Sequence, residues 1–180
     1  MCSEKLVLLR KLNRNIYHNI MIYIGKRSIL FICMGNICRS PTAEGVFRKL
    51  AGEAGIEEQL HIDSAGTHDY HVGRAPDDRA QHAASGRGYD LSTLRARQVA
   101  DRDFQEFDYI LAMDRENLAG LLHRCPAEHR HKVVLFLSFS SRFPGHEVPD
   151  PYYGGHQGFE RVLDMVEDGA RGLIEVLRKQ

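Results

Sequence analysis

At 180 residues, with 43% hydrophobic and 27% charged side chains, the chain is the size of one ordinary soluble domain and long enough to bury a real core. Lysine plus arginine and aspartate plus glutamate balance at 24 each, so no global field points to nucleic acid or to an anionic membrane surface. The ten histidines show no metal-ligand spacing beside cysteines, so neither a metal nor any other cofactor is expected.

The first 27 residues hold apolar patches broken by Lys5, Arg10, Lys11, Arg14 and His18. No run approaches the ~20 apolar residues that span a bilayer, so no integral membrane segment is expected. Residues 1–27 are taken as an N-terminal extension, flexible or loosely docked, ahead of one domain over residues 28–180. Cys2, Cys33, Cys38 and Cys125 come without a secretory signal in a chain too large to need disulfide staples. Reduced thiols and a cytoplasmic location are expected.

From Ser28 the pattern becomes regular. "SILFICM" (28–34) is an apolar run of strand length, and "SPTAEGVFRKLAGEAG" (40–55) places Ala43, Val46, Phe47, Leu50 and Ala54 at helical spacing. "LHIDSAG" (60–66) predicts a second strand, and "APDDRAQHAASGRG" (75–88) a helix opened by Pro76 and acidic residues. "DYILAMD" (108–114) and "KVVLFLSF" (132–139) predict two more buried strands, with the helix "RENLAGLLHRC" (115–125) between them. Phe159, Val162, Leu163, Val166, Ala170, Leu173, Ile174 and Leu177 follow the spacing of a long amphipathic helix. Continuous apolar strands alternating with helices imply an α/β fold with a parallel sheet covered on both faces. The one long irregular stretch is "SSRFPGHEVPDPYYGG" (140–155), and a loop of that length usually has a task.

In an open parallel sheet, ligands bind where a strand's carboxyl end meets the next helix. Cys33 lies at that point. Gly35 and Asn36 follow it, the residue types that most readily take left-handed backbone, so the loop's amide groups can turn inward as an anion-binding nest. The helix opening at Ser40-Pro41 adds its positive end. The Walker pattern and C-x-x-C spacing are both missing; what remains is cysteine, five residues, arginine. A thiol on the floor of a phosphate nest is favoured as thiolate, and Arg39 can hold two phosphoryl oxygens with its guanidinium fork.

"CMGNICRSP" (33–41) resembles the active-site loop of the low-molecular-weight protein tyrosine phosphatases. "SAGTHDYHVGRAPDDRA" (64–80), "ARQV" (96–99), "FDYILAMDREN" (107–117) and "VPDPYYGG" (148–155) are similar to further segments of that family, in the family's order. The resemblance covers residues 28–180. It implies a flavodoxin-like three-layer sandwich with a four-stranded parallel sheet of order 2-1-3-4. It also implies phosphotyrosine and aryl phosphate hydrolysis through a cysteinyl-phosphate, without a metal.

Such chemistry needs a nucleophile, a cation for the equatorial oxygens and an acid for the leaving phenolate. Cys33, Arg39 and Asp150 supply these, Asp150 by its match to the family's D-P-Y-Y loop. By the same resemblance Met34, Gly35, Asn36, Ile37 and Cys38 line the phosphate loop, Asn36 holds its unusual backbone, and Ser40 hydrogen-bonds the departing thiolate. Tyr70 and Tyr152 wall a slot for a planar phenyl ring. Cys38, five residues after Cys33 in a loop curled around one anion, is expected from its position to act as a resolving thiol for oxidised Cys33. One position departs from many relatives: Leu94 stands where they carry a histidine two residues before Ala96-Arg97-Gln98. Implied partners are phosphotyrosine-containing proteins, a tyrosine kinase among them, met by a monomer. Protein arginine phosphatases and thiol-dependent arsenate reductases share the scaffold and are the alternatives. Ile37 stands where the former carry a threonine, and the thiol relay of the latter needs a further cysteine pair.

Overall fold

The run Ile29–Cys33 shows no polar alternation because both of its faces are covered. It forms most of β1 (Arg27–Cys33), the strand flanked by β2 (Leu60–Gly66) and β3 (Tyr109–Ala112), with β4 (Val133–Leu135) outside β3. The order is β2-β1-β3-β4 and every pair is parallel, as expected. The structure is a computed structural model describing residues 26–152 and 154–179. The expectation for the extension therefore falls, up to residue 25, outside the described residues.

Among the described residues, five α-helices connect and cover the sheet: α1 (Arg39–Glu53), α2 (Asp78–Gly86), α3 (Asp103–Glu106), α4 (Arg115–Arg124) and α5 (Gly155–Arg178). Alternate residues of β1 serve two cores. Ile29, Phe31 and Cys33 join Val46 and Phe47 of α1 and the predicted stripe of α5. Leu30 and Ile32 join Phe104, Ile110, Ala112 and Leu121 on the opposite face. Phe31 is fully buried between the edges of Phe47 and Phe136, with ring centroids 5.6 and 5.1 Å away. Burying a side chain of this kind contributes roughly 1.5–3 kcal/mol.

Several expectations need correction at their ends: the helix expected over 40–55 spans Arg39–Glu53, and the strand expected over 108–114 spans only Tyr109–Ala112. The strand expected over 132–139 stops at Leu135, and Phe136–Phe139 coils into a 3₁₀ turn that brings Phe136 onto Phe31 and Leu137 into the same core. The helix expected over 75–88 spans Asp78–Gly86, because Asp77 caps it by accepting a hydrogen bond from the Arg79 N–H. β1 ends at Cys33, which assigns Met34 to the loop. Helix α3 was not predicted; four residues are too few for a periodic signal.

The 140–155 stretch is fastened before it reaches the site. The Asp168 carboxylate on α5 accepts from the Ser140 hydroxyl and from the Ser141 and Arg142 N–H groups. Further on, the Val148 N–H donates to the Met113 carbonyl at 2.8 Å, pinning this segment beside the end of β3.

Candidate active site

At the carboxyl end of β1 the chain leaves the sheet between β2 and β3. The Thr67 N–H donates to the Cys33 carbonyl at 2.9 Å, and the His68 N–H to the Met34 carbonyl at 3.0 Å. This close approach requires a glycine at 66, since a Cβ there would stand 2.7 Å from the Met34 oxygen and 2.9 Å from the His68 oxygen. The following turn is completed by Asn36, whose φ of 55° makes it the one non-glycine residue with left-handed backbone among the described residues. Its side chain meets the cost of that conformation. Nδ2 donates to Ser40 Oγ and to Ser64 Oγ, both at 2.9 Å, while Oδ1 accepts from the Arg97 N–H at 2.9 Å.

The thiol of Cys33 lies at the centre of this turn. The Asn36 N–H donates to its Sγ at 3.3 Å, and Ser40 Oγ lies 3.1 Å away. Behind these groups Ser64 Oγ donates to Glu44 Oε2 at 2.7 Å, and Arg48 holds the other carboxylate oxygen. Burial pushes the Glu44 carboxyl up from its ordinary value. Leu94 packs against the apolar core, so the loop is braced through Ser64, Glu44 and the Arg97 backbone without a histidine at 94.

Arg39, the first residue of α1, is 4% exposed. Its Nη1 donates to Asp114 Oδ2 at 2.5 Å and to the Val148 carbonyl at 3.2 Å; Nη2 lies 3.7 Å from Asp150 Oδ2. Burial works against the guanidinium charge, but Cys33 and the Asp114 carboxylate outweigh it and raise its pKa. Asp114 also caps α4, accepting from the Asn117 N–H at 2.7 Å.

Cys33, Met34, Gly35, Ile37, Cys38, Arg39, Tyr70, His71, Asp150 and Tyr152 together line one cavity of about 320 Å³. Every expected site residue lies in it or, like Asn36 and Ser40, in the hydrogen-bonded layer beneath. Tyr70, 71% exposed, stacks on His68, and Tyr152 stands across the mouth with its ring against Arg79. The carboxylate of Asp150, half exposed, accepts from the Tyr152 N–H at 3.0 Å. Burial, then Asp77, Cys33 and Asp150, push the Cys38 thiol up to about 12. Sequence reasoning missed Asp114, His71, Ser64 and Glu44. Asp114 could have been found, because a sheet order of 2-1-3-4 sets the residues just after β3 beside those just after β1.

The family model described as low molecular weight phosphotyrosine protein phosphatase matches residues 28–180. The chain belongs to that family. Among low molecular weight phosphotyrosine phosphatases it is similar to that of Schizosaccharomyces pombe, 46% identical over 82% of this chain and 94% of the relative. A crystal structure of the protein tyrosine phosphatase of Entamoeba histolytica with Hepes in its active site has a TM-score of 0.83 at 43% identity, covering 86% of this chain and 98% of that one. Vibrio vulnificus Wzb in complex with benzylphosphonate has a TM-score of 0.74 at 27% identity, covering 84% and 99%.

Proposed function

We infer that the chain is a protein tyrosine phosphatase that hydrolyses phosphotyrosine and other aryl phosphates through a cysteinyl-phosphate on Cys33. The observation that carries this reading is that Cys33, Arg39 and Asp150 open onto one cavity with Tyr70 and Tyr152 at its mouth. The benzylphosphonate bound by Wzb has the shape of a phosphotyrosine head, which supports the same choice of substrate.

In the first step the Cys33 thiolate attacks phosphorus and the bond to the phenolic oxygen breaks. Asp150 delivers a proton to that oxygen as it leaves. The Arg39 fork and the inward amides of the loop take the equatorial oxygens, whose charge they meet without reorganisation. In the second step Asp150 accepts a proton from water, the water oxygen bonds to phosphorus, and the S–P bond breaks. Ser40 and the Asn36 N–H, both already against the sulfur, stabilise the thiolate that departs.

Cys33→Ser tests the nucleophile. Turnover of p-nitrophenyl phosphate is expected to vanish while inorganic phosphate still binds, because the nest and Arg39 survive; turnover near that of the wild type overturns the reading. Assays on phosphoarginine and arsenate check the two alternatives, and both are expected to give little turnover.

The second thiol belongs to the same proposal. Peroxide converts the Cys33 thiolate to a sulfenic acid; the Cys38 thiol then bonds to that sulfur and water is lost, leaving a disulfide that a thiol reductant reopens. Mass mapping is expected to find a linked Cys33–Cys38 peptide after peroxide, and Cys38→Ser to recover poorly. Sulfinic acid on wild-type Cys33 in place of the link defeats this part. A thiolate mechanism calls for reducing surroundings, hence a cytoplasmic location; the same proposal takes the chain to act as a monomer on phosphotyrosine proteins, tyrosine kinases among them. Fractionation, sedimentation and substrate trapping with Cys33→Ser test those three points.

A further inference from the structure

Arg79, on the first turn of α2, touches neither the sulfur nor Arg39, yet it joins the two loops that must cooperate. On one side the Asp77 N–H donates to the Ile37 carbonyl within the phosphate loop at 2.8 Å. The Asp77 carboxylate grips the guanidinium twice, Nε to Oδ1 at 2.9 Å and Nη2 to Oδ2 at 2.8 Å. On the other side Arg79 Nη1 donates to the Tyr152 carbonyl at 2.9 Å. Its guanidinium carbon lies 5.0 Å from the centroids of both the Tyr152 and the Phe159 rings, so the fork is held between an exposed ring and a buried one. Tyr152 in turn gives its N–H to Asp150 Oδ1.

An unbroken path therefore runs from the phosphate loop through Asp77 and Arg79 to Tyr152 and the Asp150 carboxylate. The loop bearing Asp150 is pinned upstream at Val148 and enters α5 downstream at Gly155. Between those points Arg79 supplies a side-chain tie to the scaffold, and its planar, two-sided fork suits the task in a way that a point charge does not. We propose that Arg79 is a positioning residue that sets the reach of Asp150 over a phosphate held in the Cys33 loop.

The role rests on Asp150 being the general acid and has a signature that general loosening lacks. A nitrophenolate leaves readily without a proton and a tyrosine phenolate does not, so misplacing the acid penalises one ester selectively. Changes in the aromatic wall at Tyr152 act on both esters and cancel in the ratio of their kcat/KM values. The experiment measures kcat/KM on phosphotyrosine and p-nitrophenyl phosphate for the full chain and for Arg79→Ala, Arg79→Lys, Asp150→Asn and the Arg79→Ala/Asp150→Asn pair. Arg79→Ala is expected to lower the phosphotyrosine to p-nitrophenyl phosphate ratio about tenfold, with inhibition by inorganic phosphate unchanged and Arg79→Lys in between. In the Asp150→Asn background the same change should leave the ratio where it already is. An unchanged ratio in Arg79→Ala, or a further loss of ratio on top of Asp150→Asn, overturns the proposal. If Asp150→Asn itself slows both esters alike, the general-acid reading fails instead.

Discussion

Arg39, buried, and Asp114, partly exposed, form an ion pair, Nη1 to Oδ2 at 2.5 Å, across the boundary between the phosphate loop and the end of β3. The carboxylate fixes one edge of the guanidinium, leaving Nη2 on the side of Asp150. Arg39→Lys is expected to lose about 3 kcal/mol of transition-state stabilisation, on the order of a hundredfold in kcat/KM, because an ammonium cannot reproduce the fork. Asp114→Asn keeps an amide able to cap α4 and removes only the charge. It should therefore cost about 1–3 kcal/mol of stability in urea unfolding and weaken phosphate inhibition. A variant with wild-type kinetics and stability would show that Arg39 needs no partner.

Asn36 combines a left-handed backbone with three side-chain hydrogen bonds, and the two contributions can be separated. Asn36→Gly loses the bonds and accepts the backbone; Asn36→Ala loses the bonds and strains it. Both should be less stable and less active than the wild type, with the alanine variant worse by about 1 kcal/mol. Equal thermal midpoints for the two would place the whole contribution in the amide.

The raised Cys38 thiol gives an expectation in pH. A thiol whose folded value lies above its unfolded one favours folding while protonated, so its contribution is intact below the ordinary thiol range and declines as pH rises toward about 12. Iodoacetate at neutral pH should label Cys33, with phosphate protecting it, and leave Cys38 unmodified until the chain is unfolded. Peptide mapping decides between the two, and Cys38 labelled in the native protein contradicts the expectation.

Removing residues 1–26 keeps Arg27, which pairs with Leu60 at the start of β1. The matched family region begins at residue 28. The shortened chain is expected to be soluble, with the same thermal midpoint and the same kcat/KM. Failure to fold would show that the extension is part of the core.

The phosphate loop was legible in the sequence because its chemistry is local: strand, cysteine, two residues suited to left-handed backbone, arginine and helix start fall within "FICMGNICRSP". Asp150 was legible only through likeness to a family, since a lone aspartate between prolines has the look of a turn. The bracing groups were hidden by distance along the chain. Asn36 reaches Ser64 28 positions away and the Arg97 N–H 61 away, and Arg39 reaches Asp114 across 75. No window of local spacing connects such residues. The length of β4 was misread for a related reason: Phe136 and Leu137 are as apolar as the strand before them, and only the position of Phe31 draws them out of the sheet.

The fastening of the 140–155 stretch divides the enzyme into a fixed part and a replaceable one. Anion capture is built into β1, α1 and the serine–glutamate brace, all continuous with the sheet. On the function proposed above, the proton donor and one wall of the slot ride on a segment tethered at Asp168 and Val148 and tied across to Arg79. Selection can therefore rewrite the segment between Val148 and the start of α5, and with it the choice of ester, without disturbing how phosphate is held. Transplanting residues 149–154 from a relative of different preference should carry the leaving-group profile across and leave the phosphate dissociation constant where it was.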